Sequence, residues 1–144
     1  MICTTIGCIG PGAILVYRVF VSHGWSDRWV ARQMARCIAD VGAEPFIDIF
    51  DIKKGDRIEH KIQAELPKCN ELVVLLTPWS VRRNWVWTEV GAAWGLGKRT
   101  VGALYGLTIQ DVEKEYGGMA ALAPTNCLGL EEFDAYISEL KTRV

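Results

Sequence analysis

The feature that most constrains the fold of this chain is an unbroken apolar run, Leu72-Val73-Val74-Leu75-Leu76. A strand with one face in water alternates apolar and polar residues, whereas an unbroken run is typical of a strand buried on both faces. Strands of that kind occur in parallel sheets covered by helices on each side. The run therefore predicts an α/β fold in which this segment is a buried strand.

The rest of the sequence alternates between strand-like and helix-like segments. Further strands are predicted over Val16–Ser22, Pro45–Ile49, Thr100–Leu104 and Asn126–Leu128. Helical periodicity and capping residues predict helices over about 28–41 (ended by Gly42), 56–66, 84–96, 108–116 and 133–140. Strand and helix alternate five times, which predicts a parallel sheet with helices on both faces and one domain without repeats or linkers.

Composition excludes several classes of protein. Half of the 144 residues are hydrophobic and the net charge is −1, as in a soluble globular domain. No basic excess marks a nucleic-acid partner, so none is expected. The five cysteines form no CxxC pair, which suits a reducing compartment, and we expect a cytoplasmic protein. With only two histidines, no metal site is expected.

Residues 1–16 are uncharged and mostly apolar, with glycines and a proline interrupting them. The segment is too short and too broken for a membrane span, and it has no basic start that would mark a signal peptide. We therefore expect an N-terminal extension, with the folded domain over residues 17–144 and no membrane contact. A partner-binding or interfacial role is the alternative for this segment.

The predicted helix that follows the apolar strand begins with Asn84-Trp85-Val86-Trp87-Thr88-Glu89. Trp85 and Glu89 are four residues apart, so they lie on the same face of a helix. Open α/β sheets bind ligands at the carboxyl ends of their strands. A carboxylate beside an indole at this edge predicts a ligand site.

Three segments, taken in order, resemble the signature of Toll/interleukin-receptor (TIR) domains, especially the prokaryotic ones. Tyr17-Arg18-Val19-Phe20-Val21-Ser22-His23, with Asp27 after it, resembles the first box of the family. Phe46-Ile47-Asp48, followed by a loop that closes on Gly55, resembles the second strand and the mobile loop after it. Trp85-Val86-Trp87-Thr88-Glu89 fits the family's WxxxE pattern. The resemblance implies a flavodoxin-like three-layer sandwich, with a five-stranded parallel sheet and helices on both faces.

Many TIR domains cleave NAD at the nicotinamide–ribose bond, and in those the glutamate that matches Glu89 is catalytic. The resemblance therefore implies an NAD glycohydrolase that gives nicotinamide and either ADP-ribose or a cyclic or conjugated ADP-ribose signal, in immune or anti-phage signalling. NAD would be the substrate, and no cofactor is expected. Other family members are non-catalytic modules that signal by TIR–TIR assembly, which is the alternative function. Self-association is expected in either case, with an effector or sensor protein as a further partner.

The chemistry of this reaction is compatible with a single carboxylate. Nicotinamide leaves as a neutral ring, so it needs no proton from a second carboxyl group of the kind used by ordinary glycosidases. The group that needs stabilisation is a cationic, oxocarbenium-like ribose. A glutamate with an ordinary pKa of about 4.3 is already ionised at neutral pH and can supply the negative charge.

The resemblance also implies which residues bind the substrate, from the turn after the first strand, the second strand and the WxxxE helix: Ser22, His23, Gly24, Phe46, Asp48 and Trp85. His23 is either a general base or a hydrogen-bonding residue of the turn. Asp48 either bonds a ribose or caps its loop, and Trp85 either walls the pocket or fills the core. A third hypothesis for the chain is an enzyme like the nucleoside deoxyribosyltransferases, in which the glutamate attacks covalently.

Overall fold

All five predicted strands are present and form one parallel sheet. The computed structural model describes residues 15–47, 58–116, 122 and 126–144. The strands are β1 (Arg18–Ser22), β2 (Glu44–Ile47), β3 (Glu71–Leu76), β4 (Arg99–Leu104) and β5 (Cys127–Gly129), in the order β2-β1-β3-β4-β5. The helices are α1 (Arg28–Asp40), α2 (Ile58–Glu65), α3 (Asn84–Gly95), α4 (Ile109–Tyr116) and α5 (Phe133–Leu140). This strand order is flavodoxin-like, as expected.

Strand β3 lies at the centre of the sheet, and all six of its residues are buried. Its side chains alternate between two hydrophobic cores, one on each face of the sheet. Leu72, Val74 and Leu76 face a core closed by α2, α3 and α4. Val73 and Leu75 face the other core, which α1 and α5 close. The unbroken apolar run is thus explained by helices on both faces, as the sequence predicts.

Helix α1 shows how sequence determines the ends and the buried face of one element. Met34 and Ile38 are buried four residues apart, on the face that packs against the sheet. Gly42 follows the helix with φ of +95°, a left-handed conformation that glycine adopts without steric cost. The prediction that Gly42 ends the helix is confirmed.

The start of α1 has no side-chain cap. Asp27 occupies the N-cap position, but its side chain makes no capping hydrogen bond. Its carboxylate accepts a hydrogen bond from the hydroxyl of Thr77, fifty residues along the chain, at 2.7 Å. The Asp27 carboxylate thus bonds a residue of the loop after β3 instead of a backbone amide of its own helix. At α4 the local cap is present, because Thr108 and Asp111 exchange hydrogen bonds across the first turn.

Several predicted features lie outside the described residues. They are residues 1–14, the end of the second strand from Asp48 onward, the loop with Lys53, Lys54 and Gly55, and the capping residue Asp56.

Within the described ranges, no helix is long and apolar enough to cross a membrane. The same ranges contain no group of three or more His, Cys, Asp or Glu residues that could hold a metal ion. Cys69 is a core residue, and its burial raises the pKa of the thiol to about 11.

The amino end of the sheet holds a fully buried carboxylate, that of Glu71 at the start of β3. Tyr17 donates a hydrogen bond to it at 2.7 Å, and Tyr136 donates another. The guanidinium of Arg143 lies 3.2 Å from the same carboxylate and that of Arg99 lies 3.9 Å away. Because these groups supply donors and opposite charge, a buried ion is tolerated here. The network joins both ends of the domain to the central strand.

The two phenols of this network predict that the protein loses stability in alkaline solution. Burial, followed by the charge of Glu71, raises the pKa of Tyr136 and of Tyr17 above the ordinary value of 10.0. Above about pH 10 the unfolded chain releases protons that the folded chain retains, so the free energy of unfolding falls as pH rises. Tyr136→Phe should lower that free energy by about 1.5–3 kcal/mol at pH 7 and should flatten the alkaline decline.

Urea denaturation of the wild type and of Tyr136→Phe between pH 7 and 11 measures both effects. The matched control is Tyr105→Phe, since Tyr105 is exposed and should change little. Equal free energies of unfolding for the two variants would contradict the assignment of Tyr136 to a stabilising network.

Candidate active site at the carboxyl ends of strands β1 and β3

The topology creates a crevice between β1 and β3. The chain leaves β1 towards β2 on one side and returns to β3 on the other, so neighbouring connections diverge at this point. In open α/β sheets, the carboxyl ends of strands at such a switch point are where ligands bind. Ser22 is the last residue of β1, and Thr77 directly follows β3. Helix α3 begins at the same edge of the sheet.

Glu89 lies in the second turn of α3, with 2% of its surface exposed. The hydroxyl of Ser22 donates a hydrogen bond to Oε2 of this carboxylate. A surface glutamate on a helix would be solvated, and that interpretation is excluded by the burial. Because a carboxylate removed from water is costly unless it is hydrogen-bonded, Glu89 depends on the partners that surround it. The predicted proximity of the first strand's end to Glu89 is present in the structure.

The turn after β1 is packed against the loop that leads into α3. His23 is 7% exposed, so it is not a surface residue, and its Nδ1 lies 3.5 Å from the carbonyl oxygen of Val21. Gly24 has an ordinary extended backbone, with φ of −80°. A Cβ added there would lie 3.1 Å from Cβ and 3.3 Å from Cα of Ser80. Space, and not backbone conformation, is what requires glycine at this position.

The loop between β3 and α3 has its own hydrogen-bond network. Ser80 donates from its hydroxyl to the carbonyl of Leu75 at 2.9 Å and accepts from the amide of Thr77 at 2.8 Å. The amide of Ser80 donates to the Thr77 hydroxyl at 3.1 Å, and that hydroxyl donates to Asp27. These bonds tie the loop to the end of β3 and to the start of α1.

The two tryptophans of the WxxxE segment have different surroundings. Trp85 is half-buried against the core under α2, α3 and α4, and its Nε1 has no hydrogen-bond partner among the residues that the structure describes. Trp87 is buried, and its Nε1 donates to the carbonyl of Val81 at 2.8 Å. Trp85 therefore has the packing expected of a core residue, while the described hydrogen bond that holds α3 to its loop comes from Trp87.

The second strand contributes Phe46, which is half-buried on the edge strand β2. Its ring centroid lies 5.2 Å from that of Phe20, the residue beside it in the register of the sheet. Asp48 and the lysines of the following loop lie outside the described residues. Arg82 and Arg83, which precede α3, are exposed.

The structure brings Ser22, His23, Gly24 and Glu89 together at one edge of the sheet, and Phe46 lies on the neighbouring strand. Sequence reasoning missed the loop residues Thr77 and Ser80 and the role of Trp87. A signal was present, because a threonine and a serine three residues apart directly after a strand are typical of a turn closed by side-chain hydrogen bonds.

Two cavities lie elsewhere on the described surface. One, of about 490 Å³, is at the amino ends of β4 and β5 and includes Trp94 and Tyr136 in its wall. The other, of about 860 Å³, is at the carboxyl ends of the same strands beside Leu107 and Glu131. Neither is lined by Glu89.

The arrangement offers a buried carboxylate at a topological switch point, bound by the hydroxyl of Ser22, with the buried His23 next to that serine in the chain. Such a carboxylate can stabilise a cationic group of a ligand or accept hydrogen bonds from its hydroxyls. The fold and the site together define a flavodoxin-like α/β protein with a buried carboxylate, that of Glu89, at its switch point.

Comparison with known families agrees with the signature segments. The family model described as TIR domain matches residues 19–140 of this chain. The chain belongs to the TIR domain family.

Two curated relatives share part of this domain. The 2′ cyclic ADP-D-ribose synthase BtTIR of Bacteroides thetaiotaomicron is 32% identical over 75 residues, which cover 51% of this chain and 26% of that protein. The probable 2′ cyclic ADP-D-ribose synthase BdTIR of Brachypodium distachyon is 32% identical over 71 residues, which cover 48% of this chain and 32% of that protein. The match thus spans about a quarter to a third of the length of these relatives.

Solved structures agree on the fold. The TIR domain of the Toll-related receptor TRR-2 from Hydra magnipapillata superposes with a TM-score of 0.60 at 20% identity, covering 84% of this chain and 90% of that one. The TIR domains of the activated Roq1 resistosome superpose with a TM-score of 0.57 at 18% identity, covering 69% of this chain and 63% of that one. The CMP N-glycosidase BcmB of Clostridium botulinum superposes with a TM-score of 0.54 at 13% identity, covering 87% of this chain and 98% of that one. At these identities the likeness concerns the fold alone.

The close approach of Gly24 to Ser80 predicts opposite effects for two glycine-to-alanine changes. Gly24→Ala should lower the free energy of unfolding by about 1–3 kcal/mol, because the new methyl group must displace backbone atoms of the loop. Gly95→Ala is the control, since nothing lies within 4 Å of its added Cβ in the last turn of α3. Gly95→Ala should raise the free energy of unfolding by about 0.5–1 kcal/mol, because alanine favours the helix more than glycine does. Chemical denaturation measures both, and shifts of the same sign would contradict the packing described here.

Proposed function

We propose that this chain is an NAD glycohydrolase of the TIR type. It cleaves the bond between nicotinamide and ribose and releases nicotinamide with ADP-ribose or a cyclic or conjugated ADP-ribose signal, in immune or anti-phage signalling within the cytoplasm. Glu89 is the catalytic residue. Ser22, His23, Gly24, Phe46, Asp48 and Trp85 are assigned to substrate binding.

The observation that carries this proposal is the position of Glu89. Its carboxylate is buried at the carboxyl end of the β1/β3 crevice and accepts a hydrogen bond from Ser22, the last residue of β1. A glutamate with only a structural role in α3 would not need to lie at the one edge of the sheet where this fold class binds ligands. The names of the two curated relatives, both cyclic ADP-ribose synthases, support the same chemistry.

The reaction breaks one carbon–nitrogen bond. The bonding electron pair leaves with the nicotinamide nitrogen, which is cationic in NAD, so the departing ring is neutral and the ribose becomes an oxocarbenium-like cation. The charge of Glu89 stabilises this cation most strongly in the transition state, where the positive charge develops. Water then adds to the ribose carbon and loses a proton to give ADP-ribose, or a hydroxyl of the same molecule adds to give a cyclic product.

Burial of Glu89 sets a condition on substrate entry. Because only 2% of the residue is exposed, a ribose can touch the carboxylate only after the groups that cover it have moved. If the open state is a minor one, the apparent affinity for NAD is reduced by the fraction of molecules in that state. Assembly with a second copy or with an effector protein would raise activity if it favours the open state.

The test is the release of free nicotinamide from NAD by the wild type and by Glu89→Gln. The substitution keeps the shape of the side chain but removes its charge, so the rate should fall by at least about 100-fold. Glu113→Gln is the matched control, because Glu113 is exposed on α4 and its substitution should leave the rate of nicotinamide release unchanged. Circular dichroism checks that each variant is folded.

The assay should cover a range of protein concentrations, so that an activity that depends on assembly is detected. Full activity of Glu89→Gln would exclude Glu89 as the catalytic residue. Mass spectrometry of the product separates linear, cyclic and conjugated ADP-ribose. A covalent ribosyl–Glu89 adduct formed from a deoxynucleoside would point to the deoxyribosyltransferase chemistry.

A non-catalytic role in TIR–TIR assembly is the second candidate function, and exposed aromatic residues favour it. Trp25, Trp29 and Trp79 are 56%, 68% and 69% exposed. Trp25 and Trp79 adjoin Gly24 and Ser80 in the chain, and these two residues approach each other at the edge of the sheet. Exposed indoles are enriched where proteins bind one another. Concentration-dependent sedimentation without any nicotinamide release would favour this function over the enzyme.

A further inference from the structure

Four hydrogen bonds run along the edge of the sheet from the start of α1 to α3. The Thr77 hydroxyl donates to Asp27 at 2.7 Å and accepts from the Ser80 amide at 3.1 Å. The amide of Val81 donates to the carbonyl of Thr77 at 3.0 Å. The carbonyl of Val81 in turn accepts from Nε1 of Trp87 at 2.8 Å. Thr77 is the residue at which the bonds from α1 and from the loop meet.

These bonds are shielded from water. Thr77, Ser80, Val81 and Trp87 are all buried, at 3%, 0%, 4% and 8% exposure. Water cannot readily replace a partner that is removed from such a site, so a lost bond leaves an unsatisfied group or forces a movement. A movement of the loop would be passed to α3 through Val81 and Trp87.

Helix α3 is thereby attached to this edge of the sheet at two points. Glu89 is bound by Ser22 in the second turn, and Trp87 is bound by Val81 of the preceding loop. Val86, Val90 and Ala93 pack α3 against the core, and these two hydrogen bonds add polar contacts that define the rotation and height of the helix at this edge. A catalytic carboxylate needs this definition, since a displacement of about 1 Å can cost about 100-fold in rate.

We propose that Thr77 is a positioning residue of the Glu89 site and does not contact the substrate. Its hydroxyl bonds Asp27 and the Ser80 amide and so fixes the loop whose Val81 carbonyl binds Trp87 of α3. The inference rests on the proposed NAD cleavage and deepens it. In this proposal the loop after β3 fixes the position of helix α3, and so of Glu89, relative to the turn after β1.

Three variants test this proposal by steady-state kinetics of nicotinamide release. Thr77→Val keeps the shape of the side chain but removes the hydroxyl, so kcat should fall by about 10- to 100-fold while KM changes less. Thr77→Ser retains the hydroxyl and should restore kcat to within about threefold of the wild type. Thr108→Val is the matched control, because it removes a similar threonine–aspartate bond from the α4 cap and should leave kcat unchanged.

A second measurement does not depend on turnover. In ¹H–¹⁵N spectra, Thr77→Val should shift the amide resonances of residues 84–89 as well as those of residues 22–27, whereas Thr108→Val should leave both sets in place. If the wild type releases no nicotinamide, the proposed function fails, and these spectra still decide whether Thr77 positions α3.

Two results would overturn the inference. One is a Thr77→Val protein whose kcat equals that of the wild type, and the other is a set of α3 resonances that do not move. If Thr77→Val does not fold, Asp27→Asn replaces it, because the amide keeps one acceptor oxygen without the charge. Asp27→Asn should also lower kcat and shift the α3 amide resonances, but by less than Thr77→Val. If both its kcat and its α3 resonances equal those of the wild type, the proposal is refuted as well.

Discussion

The structure depends on the burial of β3 on both faces of the sheet. All six residues of this strand are buried, and its alternate side chains belong to two separate cores. A central parallel strand requires helical crossovers on each face, and these connections bring every strand back in the same direction. All carboxyl ends consequently lie at one edge. Ser22, Thr77 and the start of α3 are close together for this reason, although the sequence separates Ser22 from Glu89 by 67 residues.

Two buried carboxylates occupy opposite ends of this sheet, and their surroundings differ. Glu71 at the amino end receives two phenol hydrogen bonds and lies beside the guanidinium groups of Arg143 and Arg99. Such a site neutralises its charge internally and is suited to stability. Glu89 at the carboxyl end accepts a hydrogen bond from the hydroxyl of Ser22, at the edge where open α/β sheets bind ligands. The comparison shows why burial alone does not identify a catalytic group, and why position in the fold must be added to it.

The fold could be predicted from the sequence because its signals are local. The apolar run of β3, the periodicity of α1 and the glycine that ends α1 each depend on a few adjacent residues. The location of Glu89 could also be predicted, since it follows from the order of strand and helix. The hydrogen bonds of the site could not, because they join residues far apart in the chain. Asp27 shows this clearly, since it has the sequence of a helix cap but bonds Thr77.

The network around Glu71 also determines where the chain enters and leaves the domain. Tyr17 precedes β1 and Arg143 follows α5, and both contact the same carboxylate at the amino end of the sheet. A polypeptide joined after Val144 would emerge at the pole opposite the crevice. A module or a tag fused after Val144 would therefore begin away from the edge that carries Glu89.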